Sequence, residues 1–177
     1  MRALSLVAGL LMALTAAAAE PDSQSARTHF AWGADFGSSI DLSGHDMSSI
    51  DFNADFGVSR GWLSLAGVGA GVNIMVSNSC RTYPIFAILR TSLSPGRRLA
   101  FLDVRGGVAL NYLTDNLSKT SPYVSVGVGF NLAGGRTFQS YIVAAYTYNG
   151  RGDVETAEIS RHYEPLHYAG VRLGIEF

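Results

Sequence analysis

The chain has 177 residues, of which 47% are hydrophobic and 15% charged, and its formal net charge at pH 7 is −1. This near-neutral balance gives no basis for proposing nucleic acid as a partner. Beyond the N-terminal segment, no uncharged apolar run approaches the roughly 18 residues that a membrane-spanning helix needs, which argues against a helical membrane protein.

The N-terminal segment has the features of an export signal. Arg2 supplies a positive charge, residues 3–14 are apolar, and three consecutive alanines at positions 17–19 form a small-residue cleavage site. The apolar stretch is too short to span a bilayer. We therefore expect residues 1–19 to be a cleaved signal peptide, residues 20–28 a periplasmic lead-in, and residues 29–177 the folded domain.

Cysteine and histidine give no sign of a metal or redox site. Cys80 is the single cysteine, so it cannot form an internal disulfide in the oxidising export route. Without a second cysteine we expect an incidental loop thiol. The four histidines lack ligand spacing. The sequence therefore predicts no cofactor and no metal.

Eight segments alternate between apolar residues and polar residues or glycine, which is the pattern of β-strands with two different faces. In chain order they are residues 29–37, 49–57, 62–76, 83–93, 99–113, 123–132, 138–149 and 166–177. In the last segment Val171, Leu173, Ile175 and Phe177 share one face. Twenty glycines and an aromatic content of 11% also favour an all-β chain.

The connections between these segments also alternate in length. Residues 58–61, 94–98 and 133–137 form short connections, whereas residues 38–48, 77–82, 114–122 and 150–165 form mostly longer ones. Outer-membrane barrels have short periplasmic turns, longer external loops and an even strand count. The sequence therefore predicts an eight-stranded antiparallel up-and-down transmembrane β-barrel over residues 29–177, located in the cell outer membrane.

Aromatic residues concentrate near the ends of the predicted strands. Such rings favour the membrane–water boundary, so we expect two aromatic girdles. The periplasmic girdle contains Phe30, Phe56, Trp62, Phe138 and Phe177. Toward the opposite rim lie Phe36, Tyr83, Tyr123, Tyr146 and Tyr148.

The strand pattern, the alternating connections and the C-terminal Gly-Ile-Glu-Phe resemble the small eight-stranded outer-membrane barrels of the OmpA and OmpX type. The resemblance covers about residues 30–177, and the segments 101–111 and 129–133 are similar to outer-membrane barrel domains of undefined role. The resemblance implies that the barrel-assembly machinery recognises the last strand. Membrane lipid is then the other expected partner.

The polar face of the strands carries charges that a closed barrel would hold inside. Eight strands enclose a lumen just wide enough for side chains to fill it. Buried charges must pair, so we expect a structural ion-pair network and no open pore for metabolites. The predicted members are Asp35, Asp51, Asp55, Arg90, Asp103, Arg105, Arg172 and Glu176. Inward glycines at positions 67, 69, 71, 127, 129, 170 and 174 leave room for a small water-filled cavity.

These patterns favour a non-enzymatic structural or surface-interaction role, with the external loops binding a partner. The Arg151-Gly152-Asp153 triplet in the longest loop is a tripeptide that integrins recognise. A lipid A deacylase-like hydrolase is the alternative, because Ser160 lies near His162 and His167. A second enzyme class is the omptin-type protease, which uses acidic residues and histidine at the outer rim. The residues of those types here are Asp41, His45, Asp46 and His162. A soluble secreted ligand-binding barrel is the third class.

Overall fold

The computed structural model describes residues 28–77, 80–93, 99–114, 117–135, 137–150, 152–156 and 159–177, and for residues 113–114, 117–118, 152–156 and 159–163 the description covers the backbone. Throughout these ranges the regular structure is β-strand. The strands are β1 (His29–Asp41), β2 (Ser49–Arg60), β3 (Leu63–Met75), β4 (Arg81–Ser92), β5 (Ala100–Thr114), β6 (Leu117–Gly134), β7 (Gln139–Asn149), β8 (Gly152–Thr156), β9 (Ile159–Tyr163) and β10 (Leu166–Glu176).

Eight of the described strands close into a barrel in the order β1-β10-β7-β6-β5-β4-β3-β2, with all neighbours antiparallel. Each barrel strand pairs with the barrel strands that precede and follow it in the chain, and β1 closes the ring against β10. The predicted all-β, eight-stranded antiparallel barrel is confirmed. We call the end that holds the β2–β3, β4–β5 and β6–β7 connections the turn end, and the other the loop end.

Two predicted loops contain more strand than expected. Residues 114–122 were predicted to be a loop, but β5 and β6 continue there as a hairpin and stay paired up to Thr114 and Leu117. Pro122 lies at the edge of the β6–β7 ladder, which begins at Tyr123, and its carbonyl accepts the backbone N–H of Gly150 at 3.0 Å. Proline is tolerated at such edge positions. Within residues 150–165, β8 and β9 pair as a separate two-stranded hairpin.

Successive side chains alternate between the inside and the outside of the barrel because strands have a period of two. In β1 the buried positions include Asp35 and Ser39, whereas Phe36 and Ile40 are exposed. The buried faces of β1 and β2 are thus polar, and their exposed faces apolar. In the part of the chain that the structure describes, no helix is long and apolar enough to cross a membrane.

Candidate functional site: the lumen and the outer surface

All eight predicted charged residues face the lumen. Asp35 comes from β1, Asp51 and Asp55 from β2, Arg90 from β4, Asp103 and Arg105 from β5, and Arg172 and Glu176 from β10. All are buried except Glu176, whose side chain retains 15% exposure at the turn end. We call these eight residues the lumenal charge cluster.

Asp103 is the centre of this cluster. It is fully buried, and it accepts hydrogen bonds from three guanidinium groups. Arg90 Nη2 lies 2.9 Å from Asp103 Oδ2, while Arg105 Nε and Arg172 Nη2 lie 2.9 and 3.0 Å from Asp103 Oδ1. Charge-assisted bonds of this kind are stronger than neutral ones. One carboxylate therefore joins strands β4, β5 and β10 through the interior.

Two further carboxylates extend the cluster across the lumen. Arg105 Nη2 donates to Asp35 Oδ2 at 2.5 Å, and Arg90 Nη1 donates to Glu176 Oε2 at 2.5 Å. Asp35 also accepts a hydrogen bond from the side-chain amide of Asn53 at 2.8 Å. These contacts connect β1 with β5 and β4 with β10, strands that are not neighbours in the barrel wall.

The two acidic residues of β2 are held differently from the other three. Asp51 accepts hydrogen bonds from the hydroxyls of Ser39 and Ser49 at 2.5 and 2.7 Å. Asp55 lies 4.0 Å from Arg105, and neither of its buried carboxylate oxygens accepts a hydrogen bond. The structure thus brings six of the predicted residues into direct hydrogen-bonded pairs and places Asp51 and Asp55 at the edge of this arrangement.

Aromatic rings and glycines complete the packing around the arginines. Arg90 lies 4.3 Å from the ring centre of Tyr141 and 5.1 Å from that of Phe101. Arg105 lies 5.0 Å from the ring centre of Phe86, which gives a cation–π contact like those of Arg90.

Each of these three rings lies against a glycine on the neighbouring strand. The pairs are Phe86 with Gly69, Phe101 with Gly129, and Tyr141 with Gly174. The expected void beside these inward glycines is therefore filled by rings.

An apolar cluster and a small cavity lie beside the lumenal charge cluster. Leu65, Phe86, Ile88, Ala109 and other side chains form an apolar cluster beside the charged one. A cavity of about 10 Å³, room for about one water molecule, is lined by residues that include Asn53, Asn73 and Arg172. Asn53 Oδ1, Asn73 Oδ1 and Arg172 Nε are buried there without a hydrogen-bond partner. Charged, apolar and uncharged polar side chains thus all face the lumen along the described strands.

A second polar network near the loop end was not predicted from the sequence. Asn111 and Asn149 hydrogen-bond each other at 2.8 Å, and Ser121 links both through bonds of 2.7 and 2.6 Å. Thr82 donates to Asn111 at 2.8 Å. The alternation of residues in β5 indicates that Asn111 faces inward. Its hydrogen-bond partners on β4, β6 and β7 are uncharged, and they can be identified only when the pairing register of these strands is known.

The outer surface is apolar over the whole height of the barrel. Exposed large apolar side chains occur on all eight barrel strands or directly beside them, and Phe52, Val126 and Leu173 lie near mid-height. Apolar patches of this extent on a folded protein mark contact with a membrane or another protein. The surface and the lumen therefore have the opposite polarity to those of a soluble barrel.

The five aromatic residues expected at one boundary all lie exposed at the turn end. They are Phe30, Phe56, Trp62, Phe138 and Phe177. Phe177 stacks on Trp32 with ring centres 4.5 Å apart and lies 6.5 Å from Phe138. Trp32 was not included in the predicted girdle. Its ring contacts Phe177 because β1 pairs with β10 where the barrel closes.

In the opposite set of aromatic residues, Tyr123 and Phe36 do not lie at the outer rim. Tyr83, Tyr146 and Tyr148 lie on outward positions near the loop end. Tyr123, however, is 4% exposed and belongs to the apolar cluster of the lumen, so its predicted place at the outer rim is wrong. The residue is on the same inward face of β6 as Ser125. Phe36 lies near the middle of β1 and contacts Phe52 at 4.9 Å.

The loops at the loop end are tied to each other. The Asp41 carboxylate accepts backbone N–H bonds from Ser43, His45 and Met47 at 2.7, 2.9 and 3.2 Å. Ser43 also accepts the backbone N–H of His167 at 2.9 Å. The β1–β2 loop is therefore ordered and attached to the start of β10.

The candidate enzyme residues are not brought together by the described contacts. His167 Nδ1 lies 2.5 Å from Tyr146 Oη, and the side chains of Ser160 and His162 lie outside the described residues. In the omptin-type set, Asp41 binds loop backbone, while His45 approaches Glu164 at 3.6 Å.

Arg151 also lies outside the described residues. Among those described, no group of three or more His, Cys, Asp or Glu side chains is arranged to hold a metal ion.

No protein-family model matches the chain, and no curated protein matches it. Among solved structures the chain is similar to the outer membrane protein Ail of Yersinia pestis, whose backbone structure was determined in a phospholipid bilayer nanodisc. The TM-score is 0.46 and the identity 12%, and the match covers 84% of this chain and 100% of that chain.

Proposed function

We propose that this chain is an outer-membrane β-barrel protein with a non-enzymatic role, either structural or in surface interaction through its external loops. In this proposal the chain is exported by a cleaved signal peptide, inserted by the barrel-assembly machinery, and similar in architecture to the OmpA and OmpX type. Its lumen is largely closed.

The inverted polarity of the barrel is the observation that carries the proposal. Arg90, Asp103 and Arg105 are buried, whereas Phe36, Phe52 and other large apolar side chains are about half exposed. Water would make that arrangement unfavourable on both faces, because apolar surface would be hydrated and charges dehydrated. In a lipid bilayer the exposed apolar side chains contact acyl chains and not water, so the outer face becomes favourable. A closed barrel also leaves no unpaired strand edge in the bilayer.

The filling of the lumen supports a role other than transport. The three arginines cross the interior and share Asp103, and the adjacent cavity has a volume of about 10 Å³. A pathway for metabolites would require these ion pairs to separate. We therefore assign the interior a structural role.

The loop end supports a role in surface interaction. Asp41 orders the β1–β2 loop, and His45 and Glu164 connect it to the segment before β10. The hairpins β5–β6 and β8–β9 add further backbone at this end. Rigid scaffolds commonly carry recognition on such loops.

Orientation and location can be tested together by single-cysteine labelling. In a Cys80→Ser background, Ser77→Cys places a thiol at an exposed loop-end position and Thr137→Cys places one at an exposed turn-end position. On intact Gram-negative cells, a membrane-impermeant maleimide should label position 77 alone, and permeabilised cells should show labelling at both. Membranes should release the protein with detergent but not with carbonate. Carbonate release, or equal labelling of both positions on intact cells, would contradict the proposal.

A further inference from the structure

Every sulfur-bearing side chain in the described part of the barrel lies at one place. The chain has four methionines and one cysteine, and Met1 and Met12 precede residue 28. Of the other three, Met75 belongs to a buried cluster at the loop end, and Met47 and Cys80 both pack against that cluster. We call these three residues the sulfur site.

Three separate chain segments build the sulfur site. Met75 is the last residue of β3, points inward and is 4% exposed, and it packs with Leu166 and Tyr168 of β10. Met47 from the β1–β2 loop and Cys80 from the β3–β4 loop pack against this cluster and are partly buried.

Backbone hydrogen bonds hold the segments of the sulfur site together. The Met75 N–H donates to the Cys80 carbonyl at 3.3 Å. The Val76 N–H donates to the Ser48 carbonyl at 2.9 Å, next to Met47. Backbone contacts therefore join the three segments that carry Met47, Met75 and Cys80.

The chemistry of two thioethers and one thiol selects a narrow class of ligand. Soft sulfur donors prefer soft monovalent ions such as Cu(I) over hard cations that prefer oxygen. A deprotonated Cys80 and one monovalent ion together carry no net charge, so the complex is compatible with the apolar Leu166 beside it. A divalent ion in the same place would leave a buried positive charge.

We propose that Met47, Met75 and Cys80 form a binding site for Cu(I) at the loop end of the barrel. Binding exchanges the thiol proton of Cys80 for the metal ion and releases that proton to solvent, with no change in oxidation state. Met47 and Cys80 are only partly buried, so an ion can reach the sulfur atoms from the loop side. This site does not depend on the membrane assignment.

The competing explanation is that the three side chains only fill an irregular apolar space, as methionine and cysteine often do. The two explanations differ in what methionine replacement does. Met→Leu nearly conserves volume and should leave packing and folding intact. It removes the thioether, however, and should therefore weaken metal binding if the thioethers are ligands.

The test is anaerobic titration of the folded full-length mature chain in detergent micelles with Cu(I), using a chromophoric Cu(I) chelator as competitor. The wild-type protein should take up one Cu(I) per chain. Cys80→Ser, Met75→Leu and the double variant Met47→Leu/Met75→Leu should each lower the affinity, by at least the roughly 10–100-fold that loss of an outer-shell partner costs in a metal site. Heat-modifiable migration on gels confirms that each variant is folded.

Ile74→Leu is the matched control, because Ile74 is the outward-facing neighbour of Met75 on the same strand. It should bind Cu(I) as the wild type does. Unchanged binding by the double methionine variant would show that the thioethers are not ligands and would overturn the proposal. Absence of uptake by the folded wild-type protein, or equally tight uptake of Zn(II), would also overturn it.

Discussion

Phe101 occupies the space beside Gly129, its direct cross-strand partner on β6. Three carbon atoms of the Phe101 ring are the nearest heavy atoms to the position that a Cβ of Gly129 would take. Arg90 lies 5.1 Å from the centre of the same ring. The glycine thus has a packing role: it admits a ring that in turn supports a buried guanidinium.

Gly129→Ala should therefore destabilise the barrel by about 1–3 kcal/mol, the usual range for overpacking a filled interior. Gly106→Ala is the matched control, because a Cβ at this position on β5 has no neighbour within 4 Å. Urea unfolding in lipid vesicles measures both changes. If the two variants lose the same free energy, the ring does not require the glycine.

Asp103 should be the least replaceable carboxylate of the lumenal charge cluster. Asp103→Asn leaves three guanidiniums without their shared anion, and breaking a buried pair in this way typically costs 3–5 kcal/mol. Asp51→Asn should cost much less, because hydroxyls of Ser39 and Ser49 hold Asp51. Denaturant titration of both variants gives the comparison. Equal losses would mean that the guanidiniums do not depend on Asp103.

Arg172→Ala should also destabilise the barrel, by about 3–5 kcal/mol if its loss leaves buried acid charge uncompensated. Its Nη2 atom lies 3.0 Å from Asp103 Oδ1. In planar bilayers the intact protein should show little or no stable conductance, because the arginines cross the lumen. Large, well-defined channels in the wild-type recordings would refute the structural assignment of the interior.

Val128 should contact acyl chains, since it lies outward on β6 and is 42% exposed. Val128→Arg should cost about 2–4 kcal/mol of folding free energy in bilayers, as charges do on the lipid face of a barrel. Val128→Leu keeps the position apolar and serves as the control. Gly127→Ser, although it faces the lumen, is not a mild control, because a Cβ there would lie 2.7 Å from Val143 Cγ1. A small effect of arginine in vesicles would contradict the lipid-facing assignment.

Phe177 should matter more for insertion in cells than for stability in detergent. Replacing it with Asp removes the stack on Trp32 and the terminal aromatic that the assembly machinery is proposed to recognise. Phe177→Leu keeps an apolar residue and separates loss of the ring from gain of a charge. The measurement compares membrane-fraction yield with refolding yield for each variant. If the Asp variant reaches the outer membrane with the yield of the wild type, Phe177 is not part of the assembly signal.

The facing of the strands could be predicted from the sequence because a period of two leaves only two choices for each strand. Asp103 and Arg105 are inside and Val104 is outside for this reason alone. The same period of two explains why Tyr123 is inside: it lies two residues before the inward-facing Ser125 on β6.

Contacts across the lumen could not be predicted in the same way. Arg90 and Glu176 are 86 residues apart in sequence, and no local pattern relates them. Phe86 meets Gly69 only because of the β3–β4 register. The sulfur site could not be predicted for a related reason: no local pattern relates Cys80 to Met47, which lies in a different loop.

The pairing of β1 with β10 determines when the barrel can become complete. Trp32 and Phe177 exchange two backbone hydrogen bonds, of 3.1 and 2.8 Å, at this seam. Seven of the strand pairs can form between barrel strands that are consecutive in the chain, but this one joins the first barrel strand to the last. Until β10 arrives, β1 has an open edge that can pair with another chain. A chain made from its first residue onward therefore cannot close the barrel until β10, the last barrel strand, has been synthesised.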